Sequence, residues 1–336
     1  MEKYQFDYTV EEITGKQEWL VDVPVLILFF NRPEQLEKVF ESVCKAKPST
    51  LFLYQDGARE QRIDDVKNVE ACRKIVESID WNCTVYRMYQ KNNYGCDPSG
   101  YMSRKWAFSL CDRCIVLEDD VVPSVSFFAF CKDLLDKYAD DKRIYRISGQ
   151  NILGQYQPYD GDYFFTKGGS IWGWATWKRV FDEWDPEYAF LNDEKILKCI
   201  RYTYQHSGNP IEKFINKCRW HLSTGKEFFE SIYSSARFLG TGLTIVPCKN
   251  MISNIGISAE STHDATDIRL LTKQGQRAFN APVYEFEFPL KHPKYILEDK
   301  RYEDLQSKYM GWKKNIFQKI SVKIEEEIRK ILYGKK

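Results

Sequence analysis

The chain has 336 residues, enough for one large α/β domain or two smaller ones, because single hydrophobic cores stop growing near about 250–300 residues. Its 49 lysines and arginines balance 48 aspartates and glutamates, so no overall field attracts nucleic acid, and a DNA- or RNA-binding role is disfavoured. Ten irregularly spaced cysteines are typical of free thiols in a reducing compartment, not of a disulfide scaffold.

The N-terminal 20 residues contain five acidic residues and no apolar core, which is unlike a signal peptide. The longest apolar run, Val23–Phe30, is far too short to span a membrane. The sequence therefore predicts a cytoplasmic protein, either free or peripheral at the inner face of the membrane.

The first part of the chain alternates predicted strands with predicted helices. Val23–Phe30 predicts a strand buried on both faces, as in the middle of a parallel sheet. The helix after it is predicted from Asn31 as N-cap, with Pro33 in the first turn and Glu34 three residues beyond the cap. Further strands are predicted at 51–54, 84–89, 114–117 and 144–148, and helices at 31–47, 63–79, 103–111 and 124–138.

This order predicts an α/β fold with a parallel sheet, whose ligands collect at the carboxyl ends of the strands. The loops at those ends begin at Asn31, Gln55, Gln90 and Glu118. Beyond Gly149 the pattern becomes irregular, with a mostly helical stretch over 191–236. We predict an N-terminal extension (1–22), a sheet-forming half (23–150), an irregular half (151–300) and a C-terminal amphipathic helix (301–336).

Three consecutive carboxylates, Glu118–Asp120, follow the apolar strand at 114–117. Adjacent like charges repel each other, and a bound cation removes that penalty. Mg²⁺ and Mn²⁺ prefer oxygen ligands and are often held by one or two carboxylates together with substrate phosphates. The alternative is that these acids only end a strand and start the next helix, since Asp120 lies four residues before Ser124.

The neighbourhood of the acidic triplet resembles the N-acetylglucosaminyltransferase I family and, more closely, bacterial hemolysin-like nucleotide-sugar transferases. The matching segments occur in the family's order from about residue 23 to 265. They are Val25–Pro33, Gln55–Gly57, Ser103–Phe108, Ile115–Pro123, Phe127–Phe128, Ile147–Asn151, Trp172–Trp177 and Asn254–His263.

This resemblance implies a GT-A fold, a Rossmann-like mixed sheet flanked by helices, with 23–150 as the nucleotide-sugar-binding half and 151–300 as the acceptor-side half. It implies inverting, metal-dependent transfer from a nucleoside diphosphate sugar, with a UDP-sugar as the expected donor. The expected acceptor is a glycan or lipid-linked glycan, and the expected cofactor is Mn²⁺ or Mg²⁺.

The resemblance also assigns roles to residues. Asp120 would bind the metal, and Glu118 and Asp119 would contact the donor's sugar and ribose. Arg32 and Asp56 would hold the nucleotide; the alternatives are a surface charge for Arg32 and a turn residue before a glycine for Asp56. Lys105 and Ser103 stand where the family pattern has an arginine and a histidine, so Lys105 is predicted near the nucleotide.

The general base is predicted to be Glu230, because Phe228–Tyr233 matches the family stretch that carries an aspartate. An inverting transfer needs a carboxylate that takes the proton of the acceptor hydroxyl. Asp193 and Glu194 are the other candidates, and an exposed helix glutamate is the plain alternative for Glu230.

Trp174 matches the family's Gly-Trp pair and is predicted to stack on a sugar ring, whereas Trp172 and Trp177 fit the core equally well. The loop containing Thr262 and His263 is predicted to close over the diphosphate. The alternatives for His263 are a metal ligand or a hydrogen bond to the loop.

Isoleucines recur at helical spacing with lysines between them over 312–333, which predicts a helix that lies on a membrane surface, packs on the domain or contacts a second copy. Two other functions stay open on the sequence. A nucleotidyltransferase would share the acidic site but normally has a glycine-rich basic loop where this chain has Phe30–Pro33. A catalytically silent sugar-binding protein would retain the triplet and lack the usual base.

Overall fold

The computed structural model describes residues 6–204, 210–257, 267–311 and 316–333; for 210 and 316–320 it describes the backbone only. A nine-stranded sheet with helices packed on it forms the core, as the predicted α/β class requires. In these described ranges no helix has the length and apolarity needed to cross a membrane. The strands are β1 (Thr9–Ile13), β2 (Val21–Phe29), β3 (Pro48–Gln55), β4 (Cys83–Tyr89), β5 (Arg113–Glu118), β6 (Val121–Pro123), β7 (Ile144–Ser148), β8 (Tyr163–Thr166), β9 (Trp174–Trp177), β10 (Leu243–Pro247) and β11 (Ile252–Asn254).

The helices cover both halves of the chain. They are α1 (Pro33–Ala46), α2 (Ile63–Val76), α3 (Cys96–Phe108), α4 (Ser126–Lys137), α5 (Lys178–Phe181), α6 (Glu194–Thr203), α7 (Pro210–Thr224), α8 (Phe229–Gly240), α9 (Lys273–Gln276), α10 (Lys300–Tyr309) and α11 (Ile316–Tyr333). The mostly helical stretch predicted over 191–236 corresponds to α6, α7 and the first part of α8.

The sheet order is β1-β4-β3-β2-β5-β9-β7-β10-β8, and six of the nine strands run in one direction. The buried strand β2 lies between β3 and β5 and is parallel to both. The carboxyl ends of these three strands therefore meet at one edge of the sheet, which is where the predicted site loops begin.

One sheet joins segments on both sides of residue 150. Strand β7 lies between β9 and β10, which come from the later half of the chain. The N-terminal extension also takes part, because β1 pairs antiparallel with β4, with Thr9 opposite Arg87. At the other terminus, two helices, α10 and α11, occupy the segment predicted as one helix.

Two predicted helix starts are wrong. Asn31 is not the N-cap of α1: Arg32 holds that position, Pro33 begins the helix, and the Asn31 amide donates to Asp65 Oδ1 at 2.7 Å. Helix α3 begins at Cys96, seven residues before the predicted 103. Gly100 lies within the helix, where a Cβ atom would come within 2.4 Å of the Phe229 ring. This glycine permits close contact between α3 and α8.

Candidate active site

Residues from three neighbouring strand ends line one cavity of about 250 Å³. Arg32 follows β2, Asp56 follows β3, and Glu118 ends β5 with Asp119 directly after it. Cys96, at the start of α3, lines the same cavity. The structure thus brings together four of the residues predicted from the sequence.

Arg32 bridges two of the three consecutive carboxylates. Its Nη2 lies 2.5 Å from Asp119 Oδ1 and its Nη1 lies 3.0 Å from Asp120 Oδ2. Asp119 Oδ2 also accepts a hydrogen bond from the Phe30 backbone N–H at 3.1 Å. Burial raises the pKa of Asp119 to about 6, although the charge of Arg32 opposes this shift. Arg32 is therefore part of the acidic cluster as well as a wall of the cavity.

Glu118 has its own arginine partner. Arg104, fully buried on α3, donates from Nη2 to Glu118 Oε1 at 3.4 Å, and its guanidinium lies 4.3 Å from the Phe229 ring centroid. Burial raises the pKa of Glu118 to about 7; Arg104 opposes this rise, and the neighbouring carboxylates add to it. The Glu118 side chain is 28% exposed, so it faces the cavity while its partner stays in the core.

Asp120 retains an unused acceptor. Its Oδ1 is buried and has no hydrogen-bond partner in the described part of the chain, while its backbone oxygen accepts from the Ile255 N–H at 2.8 Å. Gly256 packs so closely that a Cβ atom would come within 2.0 Å of Asp120 Oδ2. Arg32 and Arg104 offset only two of the three negative charges of Glu118–Asp120. One carboxylate charge and the buried Oδ1 of Asp120 therefore remain to bind a cation.

A metal held only by protein side chains is not supported. Among residues 6–204, 210–257, 267–311 and 316–333, no group of three or more His, Cys, Asp or Glu side chains is arranged to hold a metal ion. The donor set instead fits a hard cation that takes one oxygen from Asp120 and the rest from a ligand or water, as Mg²⁺ commonly does.

Asp56 organises the wall of the cavity. Its carboxylate accepts from the backbone N–H groups of Gly57, Tyr94 and Gly95 at 2.9–3.0 Å and from Asn93 Nδ2 at 3.0 Å. These four bonds use the acceptor positions of a carboxylate. Burial raises the pKa of Asp56, and the backbone N–H groups oppose that shift. The contact with the nucleotide predicted for Asp56 would require it to give up one of these bonds.

Glu230 lies in the first turn of α8, exposed, at the border of a second cavity of about 280 Å³. Its charge adds to the factors that raise the pKa of Glu118, so the two carboxylates interact. Of the other candidates for the base, Asp193 caps α6 by accepting from the Lys195 and Ile196 N–H groups at 2.9 and 3.1 Å. Glu194 is exposed in the first turn of α6.

The remaining predicted site residues lie outside the two cavities or outside the described residues. Trp174 in β9 is only 1% exposed, and its ring centroid lies 5.5 Å from that of Tyr233. The ring contacts the guanidinium of Arg104, the partner of Glu118, and presents no open face to a ligand. Lys105 is half-buried on α3 and does not line the first cavity. Thr262 and His263 fall within 258–266, which the structure does not describe.

Sequence reasoning missed the buried arginines Arg104 and Arg146. Arg104 stands beside Lys105 in a segment that the family resemblance already included, but its burial depends on contact with Phe229 on α8. Arg146 is in the middle of β7 and lines the second cavity. A charged residue inside an otherwise apolar strand was the available indication.

No protein-family model and no curated protein sequence matches this chain. The site must therefore be interpreted from its own geometry and chemistry.

Proposed function

We propose that the chain is an inverting glycosyltransferase of GT-A type that moves a sugar from a nucleoside diphosphate sugar, with UDP as the expected nucleotide, to a glycan or lipid-linked glycan. The observation that carries this proposal is the unused, buried Oδ1 of Asp120 beside a cavity at the carboxyl ends of the parallel strands. An excess carboxylate charge at that edge suits a cation shared with the donor's diphosphate.

Each residue of the acidic cluster has a distinct role in this proposal. Asp120 would hold Mn²⁺ or Mg²⁺, and the bound ion would neutralise the leaving nucleoside diphosphate. Arg32 keeps Asp119 and Asp120 in place and adds positive charge at the cavity wall. Glu118, held by Arg104, would contact the donor's sugar.

Glu230 would act as general base. It takes the proton of an acceptor hydroxyl as that oxygen bonds to the anomeric carbon, and the bond from that carbon to the diphosphate oxygen breaks with its electron pair leaving on the diphosphate. Because attack and departure occur on opposite faces of the sugar, the anomeric configuration inverts.

The proposal predicts metal-dependent nucleotide binding through Asp120. UDP should bind in the presence of Mn²⁺ and much more weakly with a chelator, and Asp120→Ala should abolish the difference while the chain remains folded. Isothermal titration calorimetry of UDP with Mn²⁺ and with chelator measures this, with circular dichroism as the folding check.

Asp64→Ala is the matched control, since Asp64 is an exposed aspartate at the start of α2 that does not line the cavity. Equal UDP affinity with and without Mn²⁺ in the parent chain would contradict the proposal. Incubation with UDP-sugars and added pyrophosphate separates the rival functions: a transferase releases UDP, a nucleotidyltransferase forms UTP and a sugar 1-phosphate, and a silent binding protein leaves the donor intact.

A further inference from the structure

The second cavity shares no lining residue with the first, yet the two are linked by Glu230, which borders the second and acts on Glu118 of the first. Strand β7, the loop 168–171 and helix α8 supply its walls. Its volume of about 280 Å³ is close to the lower end of the range for small-molecule pockets, about 300–1,000 Å³.

Arg146 is the most unusual group in this cavity. The residue is 3% exposed, and its Nη2 donates to Gly168 O at 3.0 Å and to Thr244 Oγ1 at 3.1 Å. Its Nε is buried and has no hydrogen-bond partner among the residues described. A buried guanidinium is normally compensated by a carboxylate, because burial of an unpaired charge is strongly unfavourable.

Arg104 and Arg146 differ in whether a carboxylate compensates the buried charge. Both arginines are buried and the Nε of each has no hydrogen-bond partner among the described residues, but Arg104 has a carboxylate partner, Glu118. In the described part of the chain no carboxylate lies within ion-pair distance of Arg146, and a second cation, Arg237, is close enough to act on it. The cavity therefore holds two positive charges against the single carboxylate of Glu230 at its border.

Tyr233 supplies a second unsatisfied group. Its hydroxyl is buried without a hydrogen-bond partner in the described residues, and its ring lies 5.2 Å from the Arg146 guanidinium carbon. Tyr233 and Arg237 are one turn apart on α8, so both face the cavity with Glu230. Unused donors and excess positive charge together are the complement of an oxyanion.

We infer that this cavity binds a negatively charged group of the acceptor, a phosphate or carboxylate whose oxygens accept hydrogen bonds from Arg146 and Tyr233. That the anion belongs to an acceptor rests on the proposed glycosyl transfer, in which Glu230 would lie beside the hydroxyl that it deprotonates. The anion supplies the opposite charge that Arg146 lacks, and the unused Nε–H can donate a charge-assisted hydrogen bond to it.

The test is calorimetric titration of the full chain with three probes: glucose 6-phosphate, glucuronate and uncharged glucose. At least one anionic probe should bind about tenfold or more tightly than glucose, and Arg146→Gln should remove about tenfold or more of that affinity, as loss of a charged hydrogen-bond donor does. A preference for glucose 6-phosphate assigns a phosphorylated acceptor, and a preference for glucuronate assigns a carboxylated one.

Arg143→Gln is the matched control, because Arg143 is near Arg146 in the chain but exposed and paired with Asp141. It should bind the anions as the parent does. If Arg146→Gln does not fold, the half-buried Arg237 takes its place, and Arg237→Gln should weaken anion binding by about threefold or more. Arg32→Gln locates the site: anion binding that depends on Arg32 instead of Arg146 and Arg237 belongs to the first cavity and overturns the inference.

Equal binding of glucose and both anions would also overturn the inference. The two proposals fail separately. If UDP does not bind with Mn²⁺ but anion binding still depends on Arg146, glycosyl transfer is wrong and the anion site stands. If UDP binds and no anion does, only the anion site is wrong.

Discussion

Glu230, the proposed general base, is placed where it can interact with both cavities. It is exposed at the border of one cavity, and its charge acts on a carboxylate of the other. We expect Glu230→Gln to leave UDP binding nearly intact and to lower sugar transfer by about 10²–10⁴-fold, because the amide cannot take the proton of the acceptor hydroxyl. Initial rates of UDP release in the presence of acceptor measure the effect.

The control for this substitution is Glu194→Gln, another exposed glutamate in the first turn of a helix. It should transfer sugar at the parent rate. If Glu230→Gln is as active as the parent, the assignment is wrong, and a slow Glu194→Gln variant would move the base there.

The sequence predicted those site residues whose position depends on local order. Arg32, Asp56 and the triplet each follow a buried strand, so a parallel sheet is enough to bring them together. Arg104 and Arg146 could not be found this way. Their importance comes from burial, and burial depends on helix α8, which packs against them from more than 80 residues further along the chain.

At the scale of elements, α7 and α8 meet at a buried hydrogen-bonded group. His221 on α7, 2% exposed, lies 2.6 Å from Ser231 Oγ on α8, and its ring stacks on Phe228 with centroids 3.7 Å apart. The same hydroxyl lies 2.6 Å from Tyr188 Oη. Burial, reinforced by the charge of Lys217, lowers the pKa of His221 to about 4.

This lowered pKa predicts acid sensitivity of the α7–α8 pair. Below the unfolded pKa of about 6.5 the unfolded chain binds a proton that the folded chain excludes, so stability falls as the pH drops towards about 4. Between pH 7 and pH 5 the loss should be on the order of 2 kcal/mol. Urea unfolding of the parent and of His221→Gln at both pH values measures it.

The glutamine variant cannot titrate, so its loss between pH 7 and pH 5 should be smaller than the parent's by that amount. Groups elsewhere, including His292, affect both chains equally and cancel in the comparison. Equal losses in the two chains would show that His221 does not exclude a proton when folded.

Element boundaries were predicted well where a buried strand was the determinant, as for β7 at 144–148, and poorly at helix starts. Helix α3 begins at Cys96 after Gly95, with no side-chain cap hydrogen bond to mark its start, and Gly100 lies inside it against the Phe229 ring, a tertiary contact without a local pattern. Similarly, Asn31 has the usual N-cap side chain, but its amide is used by Asp65 on α2.

At the scale of the whole molecule, the C-terminal helix α11 presents its polar side to the rest of the protein. Glu325 Oε1 accepts from the Lys273 N–H at 2.9 Å, and Arg329 Nη1 donates to the Arg269 carbonyl at 2.9 Å. The isoleucines face away: Ile324, Ile328 and Ile331 are 55%, 49% and 80% exposed. Residues 310–336 also carry eight lysines and arginines against three glutamates.

This arrangement favours a lipid surface as the cover for the stripe formed by Ile324, Ile328 and Ile331. We expect the full chain to float with anionic vesicles at low salt and less at high salt, because each lysine near such a surface adds about 1 kcal/mol of attraction. Replacing the three isoleucines with serine should abolish flotation and leave the melting temperature nearly unchanged, since about half or more of each side chain is exposed. Deleting 312–336 should act in the same way.

Other outcomes would indicate that something other than lipid covers the three isoleucines. A large drop in melting temperature on deletion would mean that the helix belongs to the fold. If the chain stays in the soluble fraction at both salt concentrations, the membrane interpretation fails. In that case, a concentration-dependent dimer that the serine variant cannot form would identify the cover as a second copy of the chain. Vesicle binding would instead place the chain at a membrane surface, where the lipid-linked acceptor of the proposed transfer would lie.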